Sequence, residues 1–214
     1  MRRIGIHSIS ELFRFGNWWH YKIPPLLAVF FFAQILKGES EVGSIVFKLA
    51  LLNAWMFAAA SFGYFINDCS DIEEDAMAGK KNSVARISSY LRWIIVAVLI
   101  ITISLCQFLL NGMHSLPFLL SVFQLVFFVI YSVPPFRVKQ SLLGSIFCDS
   151  MYAHLLPAAI VFSSICNISD YTSAFELLCI WQFVYGTRNI LLHHLFDRKN
   201  DARSGNNNLA NRFV

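Results

Sequence analysis

Long apolar runs alternate with short polar breaks along the whole chain. Six runs are legible, at roughly 23–37, 43–66, 90–111, 115–133, 141–166 and 171–196. None alternates strictly between apolar and polar positions, so strands are not indicated. Each is of the order needed for a helix to cross about 30 Å of hydrocarbon. Ahead of the first run, residues 1–22 mix Ile9, Leu12, Phe13 and Phe15 with Glu11 and Arg14. They end on Trp18, Trp19, Tyr21 and Lys22, an aromatic and cationic mixture suited to a membrane interface. Pro24-Pro25 opens the first run, where proline is tolerated. Asn111-Gly112 and the stretch Asn167 to Asp170 are turn signals. The second run turns slim at Ala58, Ala59, Ala60, Ser61 and Gly63, which favours close helix contact in lipid. The expected architecture is all-α: a single membrane domain over 1–214, a polytopic transmembrane helix bundle of about six spans.

Composition fixes the solvent. The chain is 57% hydrophobic, carries 21 Phe and is only 14% charged. That is an integral, multi-pass membrane protein, and in lipid its paired backbone must be helical unless it closes a barrel. The lipid bilayer, not nucleic acid, is the expected surrounding partner. Cys69, Cys106, Cys148, Cys166 and Cys179 form no CxxC pair and mostly sit in apolar runs, as small core residues. Arg2-Arg3 is a topology anchor rather than part of a removable signal.

Charge orients the bundle. With a cytoplasmic N-terminus, loops 67–89 and 134–140 and the C-terminal tail are also cytoplasmic. Of the 17 Lys and Arg, all but Lys37 and Lys48 then lie on or near that side, as the positive-inside rule expects. A bacterial inner membrane or its equivalent is the expected location.

Every acid-rich stretch falls on the same face. Asn67-Asp68-Cys69-Ser70-Asp71-Ile72-Glu73-Glu74-Asp75 ends the second run. If the helix continues, Asn67, Asp71 and Asp75 share one side at i, i+4, i+8. Like charges at that spacing repel, and oxygen ligands on one side suit Mg²⁺. A solvated acidic loop would have the same composition. The sixth run ends similarly: Asp197 and Asp201 are i, i+4, with His193 and Asn189 one and two turns earlier. Two acid faces at the ends of two spans could hold Mg²⁺ ions around a shared phosphate. Lys80, Arg137, Lys139 and Arg188 lie at the same level and could bind that anion, or could simply set topology. Arg137 and Lys139 follow a rigid turn, Tyr131-Ser132-Val133-Pro134-Pro135. Asp149 lies inside the fifth run, where an acid should face the bundle interior as a proton acceptor, an anchor for an acceptor substrate or a structural hydrogen bond.

These landmarks resemble the UbiA-type membrane prenyltransferase family. Asn67-Asp68-x-x-Asp71-x-x-x-Asp75 is similar to its first aspartate-rich signature. Tyr131 to Lys139 is similar to its loop after the fourth span, and Asp197-x-x-x-Asp201 to its second aspartate-rich motif. The resemblance implies a helical bundle around a central cavity. It also implies Mg²⁺-assisted departure of diphosphate from an allylic isoprenoid, and alkylation of an acceptor, aromatic or lipid-like, whose identity is left unknown. By resemblance Asn67, Asp68, Asp71, Asp75, Asp197 and Asp201 hold metal, and Asp71, Asp75, Asp197 and Asp201 are catalytic. Lys80, Arg137, Lys139, Tyr131, Asp149 and Arg188 contact substrate. The family has nine spans against six here, which implies a C-terminally short member or a fragment. It often follows the first motif with Asn-Arg-Pro, where this chain has Asn82-Ser83-Val84-Ala85-Arg86. A polyprenyl-phosphate phosphoribosyltransferase-like enzyme, or an inactive truncated subunit, would carry the same motifs.

Overall fold

Three serines start three of the helices. The Oγ atoms of Ser88, Ser115 and Ser141 accept from the backbone N–H of Leu91, Phe118 and Gly144 at 3.4, 3.4 and 3.1 Å, satisfying N–H groups that have no helical partner. The computed structural model describes residues 10–204. Segments 1–9 and 205–214 lie outside the described residues, as do the side chains of Asn17, His194 and 196–204. Within these bounds the long helices are α1 (Phe15–Lys37), α2 (Val42–Ser70), α4 (Ser89–Asn111), α5 (Leu116–Ser132), α6 (Leu142–Ser163) and α7 (Thr172–Ser204), with a short α3 (Ile72–Met77) after α2. All six expected spans are present as helices.

On length and apolar composition alone, α2, α4 and α6 can cross a membrane, and α5 is a shorter apolar helix. Helix α1 begins eight residues ahead of the expected span (23 − 15 = 8) and runs straight through Pro24 and Pro25. The aromatic segment is therefore part of the helix itself. Trp18 is 1% exposed and stacks edge-on against Phe15 and Phe57, so packing rather than interfacial solvation sets its position. The Arg2-Arg3 anchor falls outside the described residues.

The slim half of α2 is where neighbours come closest. A Cβ on Gly63 would sit 2.3 Å from Cε1 of Phe128, so only glycine lets α5 lay that ring across α2. Ala58, Ala59 and Ser61 are buried beside it. The core runs through Trp18, Phe30, Trp55, Phe65, Ile103 and Phe162. At the end away from the acidic motif, Glu39 bonds Lys48 at 2.9 Å and meets Lys37 at 3.5 Å. The Lys48 hydrogen bond holds the Glu39 carboxyl below its ordinary pKa. The two cations that break the charge asymmetry thus share one acid.

Helix α6 contains a π-helical turn over Met151–Leu155. The N–H of Leu156 is used by Met151 O, and Pro157 has none. The carbonyls of Tyr152 and Ala153 therefore lose their usual i+4 donors. Side chains from elsewhere replace them: Gln124 Nε2 donates to Tyr152 O at 2.9 Å, and Lys22 Nζ to Ala153 O at 3.4 Å. Helix α7 crosses this turn closely, since a Cβ on Gly186 would lie 2.9 Å from Ser150 Cα.

Candidate active site

The first acidic motif keeps its helical register although α2 stops. Asp71 caps α2, its N–H bonding Asn67 O at 3.1 Å, and Asp75 N–H bonds Asp71 O at 2.8 Å. Asn67, Asp71 and Asp75 therefore remain one turn apart. Their side chains are held by different partners. Asn67 Nδ2 donates to Asp71 Oδ2 at 3.0 Å. Asp71 Oδ1 receives Arg137 Nη2 at 2.6 Å and Lys139 Nζ at 2.5 Å. Lys139 also donates to Asn67 Oδ1 at 2.9 Å, and Ser132 Oγ to the same oxygen at 3.3 Å. Arg137 spans to Glu74 with its other terminal nitrogen.

This cluster joins the end of α2 to the loop after α5. Arg137 is placed by a left-handed backbone, φ 39, an uncommon conformation that points it back at α2. Both cations are only partly exposed, 14% and 16% at the side chain. Burial pushes the Lys139 ammonium below its ordinary pKa, and the Asp71 hydrogen bond opposes that shift.

Asp75 turns the other way, accepting from Asn82 Nδ2 at 2.9 Å. Asn82 also donates to Asp68 O and accepts from the N–H of Val84 and Ala85. One buried amide so closes the loop 76–83 over α2 and fixes the Asp75 carboxylate. Asp68 stands apart from the cluster. It is 1% exposed, and Arg14 grips both its oxygens, at 3.0 Å from Nε and 2.7 Å from Nη2.

Among the other expected site residues, Tyr131 ends α5 with its ring 5.2 Å from that of Tyr152. Asp149 faces inward, within electrostatic reach of Tyr64, Tyr131, Tyr152 and Lys22. Lys80 and Arg188 are exposed and make no ion pair among the described residues. Asp197 and Asp201 lie in α7, one turn apart; their side chains are outside the described residues. Arg14, Glu74, Asn82 and Ser132 carry contacts that the spacing rules do not single out. Asn82 has a local signal, an Asx turn onto Val84 and Ala85. A lone Arg14 in a mixed segment has none.

Residues 23–214 match the UbiA prenyltransferase family. The chain belongs to that family. No curated protein and no solved structure matches it. As a UbiA family member it has the membrane-helix architecture and the prenyltransferase character of the family. The first motif supplies hard amide and carboxylate oxygens, the donor chemistry Mg²⁺ takes. Among the described residues no three His, Cys, Asp or Glu side chains gather closely enough to hold a metal by themselves. Asp71 is engaged by Arg137 and Lys139 instead.

Proposed function

We propose that this UbiA family protein transfers a prenyl group from an allylic isoprenoid diphosphate to an aromatic or lipid-like acceptor, at the cytoplasmic mouth of its helix bundle. One observation carries the reading: the Asp71 carboxylate, with two cations from a different loop, Arg137 and Lys139, meeting at the end of α2. A structural ion pair needs one cation. Two converging on one oxygen leave donor capacity for a second anion, and guanidinium plus ammonium suit phosphate oxygens.

Asn67, Asp71 and Asp75, with Asp197 and Asp201, are the residues that would hold Mg²⁺, while Asp68, whose oxygens Arg14 engages, fixes where α1 enters. Bound there, the metal supplies positive charge to the departing diphosphate. Arg137 and Lys139 move from Asp71 to the diphosphate oxygens, where Lys80 and Arg188 add charge from the rim. The allylic C–O bond breaks with its electron pair leaving on diphosphate. The allylic carbon then bonds the acceptor, which gives up a proton. Tyr131 and Asp149 lie below the mouth and position that acceptor. The Phe and Tyr walls exclude water from the allylic cation.

The test is reconstitution of the 214-residue chain in liposomes with a panel of allylic diphosphates and labelled acceptors, with and without Mg²⁺. Labelled prenyl product and diphosphate should appear together only with Mg²⁺. Diphosphate release untouched by Asp71→Ala or Asp197→Ala would sink the role assignment. Consumption of a phosphoribosyl diphosphate in place of the allylic donors would assign the donor to the sugar class.

A further inference from the structure

A second polar site lies at a crevice where α1 and α7 flank the π-turn of α6. Tyr21, Lys22, Pro25 and Leu26 line it from α1, Ala153 and His154 from α6, and Gln182 from α7. None of these belongs to the aspartate cluster. The Lys22 ammonium makes two contacts, to His154 Nε2 at 3.1 Å and to Ala153 O at 3.4 Å. Both partners are uncharged acceptors. Lysine has three N–H bonds and no acceptor, so the third hydrogen has no acceptor among the described residues, and the His154 tautomer that can accept from Lys22 is the one protonated on Nδ1. Asp149 lies within electrostatic reach, but among the described residues no carboxylate comes within ion-pair distance of Lys22.

Gln182 is the second, independent observation. It is 3% exposed and lines the same crevice. Among the described residues its amide is not a sealed, unpaired group; it opens on the crevice, where its N–H bonds can donate. A cation with a spare donor and an amide with two spare donors face the same small space. Tyr21, Pro25 and Leu26 give that space an apolar wall. In a bilayer, a lysine that only capped the Ala153 carbonyl would not need the second donor opposite.

We propose that this crevice binds the anionic oxygen of an amphiphile dissolved in the bilayer, with Lys22 as counterion, Gln182 as second donor and the apolar body along Tyr21, Pro25 and Leu26. The proposal stands apart from the prenyl-transfer reading, since it concerns none of the residues that would hold diphosphate. A free carboxylate amphiphile and an anionic phospholipid offer the same chemistry.

The experiment uses the full chain in phosphatidylcholine nanodiscs, without Mg²⁺ or any diphosphate, so that failure of the crevice and failure of the transferase are told apart. Oleate, oleyl alcohol and phosphatidylglycerol are titrated, and retained adducts are counted by native mass spectrometry. One oleate per chain is expected, with oleyl alcohol not retained. Lys22→Met should weaken oleate at least about tenfold, the scale of one charge-assisted hydrogen bond. Gln182→Leu should weaken it several-fold, and Lys22→Arg should keep it. Displacement of oleate by equimolar phosphatidylglycerol assigns the occupant as phospholipid; resistance assigns it as a free acid. Equal retention of oleate and oleyl alcohol, or unchanged oleate binding in both Lys22→Met and Gln182→Leu, overturns the proposal. Gln182→Leu breaks no hydrogen bond among the described residues, so its result does not depend on Lys22→Met folding.

Discussion

Arg137 Nη2 lies 2.6 Å from Asp71 Oδ1, joining positions 66 residues apart. The pair fastens the loop after α5 to the end of α2, and on the proposed reading it joins a residue suited to phosphate to one suited to a hard cation. Removing either partner should cost more than a tether would. Asp71→Ala is expected to lower kcat/KM for Mg²⁺-dependent diphosphate release by about 10²–10³, the scale of losing a charge stabiliser at a developing anion. Arg137→Gln should lower it by about 10–10², with most of the loss in kcat. Steady-state kinetics in proteoliposomes measures both. Equal kinetics for Arg137→Gln and native protein would leave Arg137 as a tether only.

Lys139 should make the proposed reaction sensitive to alkaline pH. Burial lowers its pKa from the ordinary 10.5, so the ammonium deprotonates earlier than an exposed lysine would. Because kcat/KM reports the free enzyme, its alkaline limb should fall below pH 10.5. Binding of diphosphate should push the limb seen in kcat upward, since an anion stabilises the charged amine. Lys139→Arg keeps its charge at all accessible pH and should flatten the alkaline limb of kcat/KM. The pH profiles of the two proteins decide it.

Much of the bundle was legible because lipid leaves the chain few choices. Six apolar runs with turn signals between them became six helices, and the i, i+4 spacing of Asn67, Asp71 and Asp75 survived a helix end through its backbone bonds. What was not legible is which neighbour each carboxylate chooses. Asp68 and Asp71 are three residues apart and read alike in sequence, yet Asp68 turns to Arg14 and Asp71 to Arg137 and Lys139. That choice depends on where α1 and the loop after α5 arrive in space. The π-turn in α6 was equally hidden. Pro157 marks a carbonyl without its donor, but not that Lys22 comes from 131 residues away to meet it.

Gly63 sets how close α5 can come to α2. Gly63→Ala places a methyl 2.3 Å from Phe128 Cε1, so the ring must move or the helices must part. Such overpacking should destabilise by about 1–3 kcal/mol. Phe128→Leu alone should cost a similar amount as a cavity, while Gly63→Ala with Phe128→Leu should recover part of the loss. Thermal unfolding in detergent reads the cycle. Strict additivity of the two changes would show that the close approach does not couple these residues.

Asp68 is the residue for which sequence resemblance and geometry point in different directions. The resemblance implies a metal ligand, whereas Arg14 occupies both of its carboxylate oxygens at a site 1% exposed. Arg14 in turn adopts φ 50 at the start of α1, an unusual backbone for a non-glycine residue, so the pair fixes where α1 enters. Breaking a mostly buried pair by removing one charge leaves the other uncompensated. Asp68→Asn should therefore destabilise by about 1–3 kcal/mol, discounted from the fully buried case because Arg14 is 37% exposed at the side chain. Arg14→Gln should do the same, and the double variant should lose less than the sum. The Mg²⁺ concentration for half-maximal diphosphate release should stay within about twofold of native in Asp68→Asn and rise at least about tenfold in Asp75→Asn, as loss of one charged ligand weakens a hard-cation site. A large rise in Asp68→Asn with unchanged unfolding would return Asp68 to the metal.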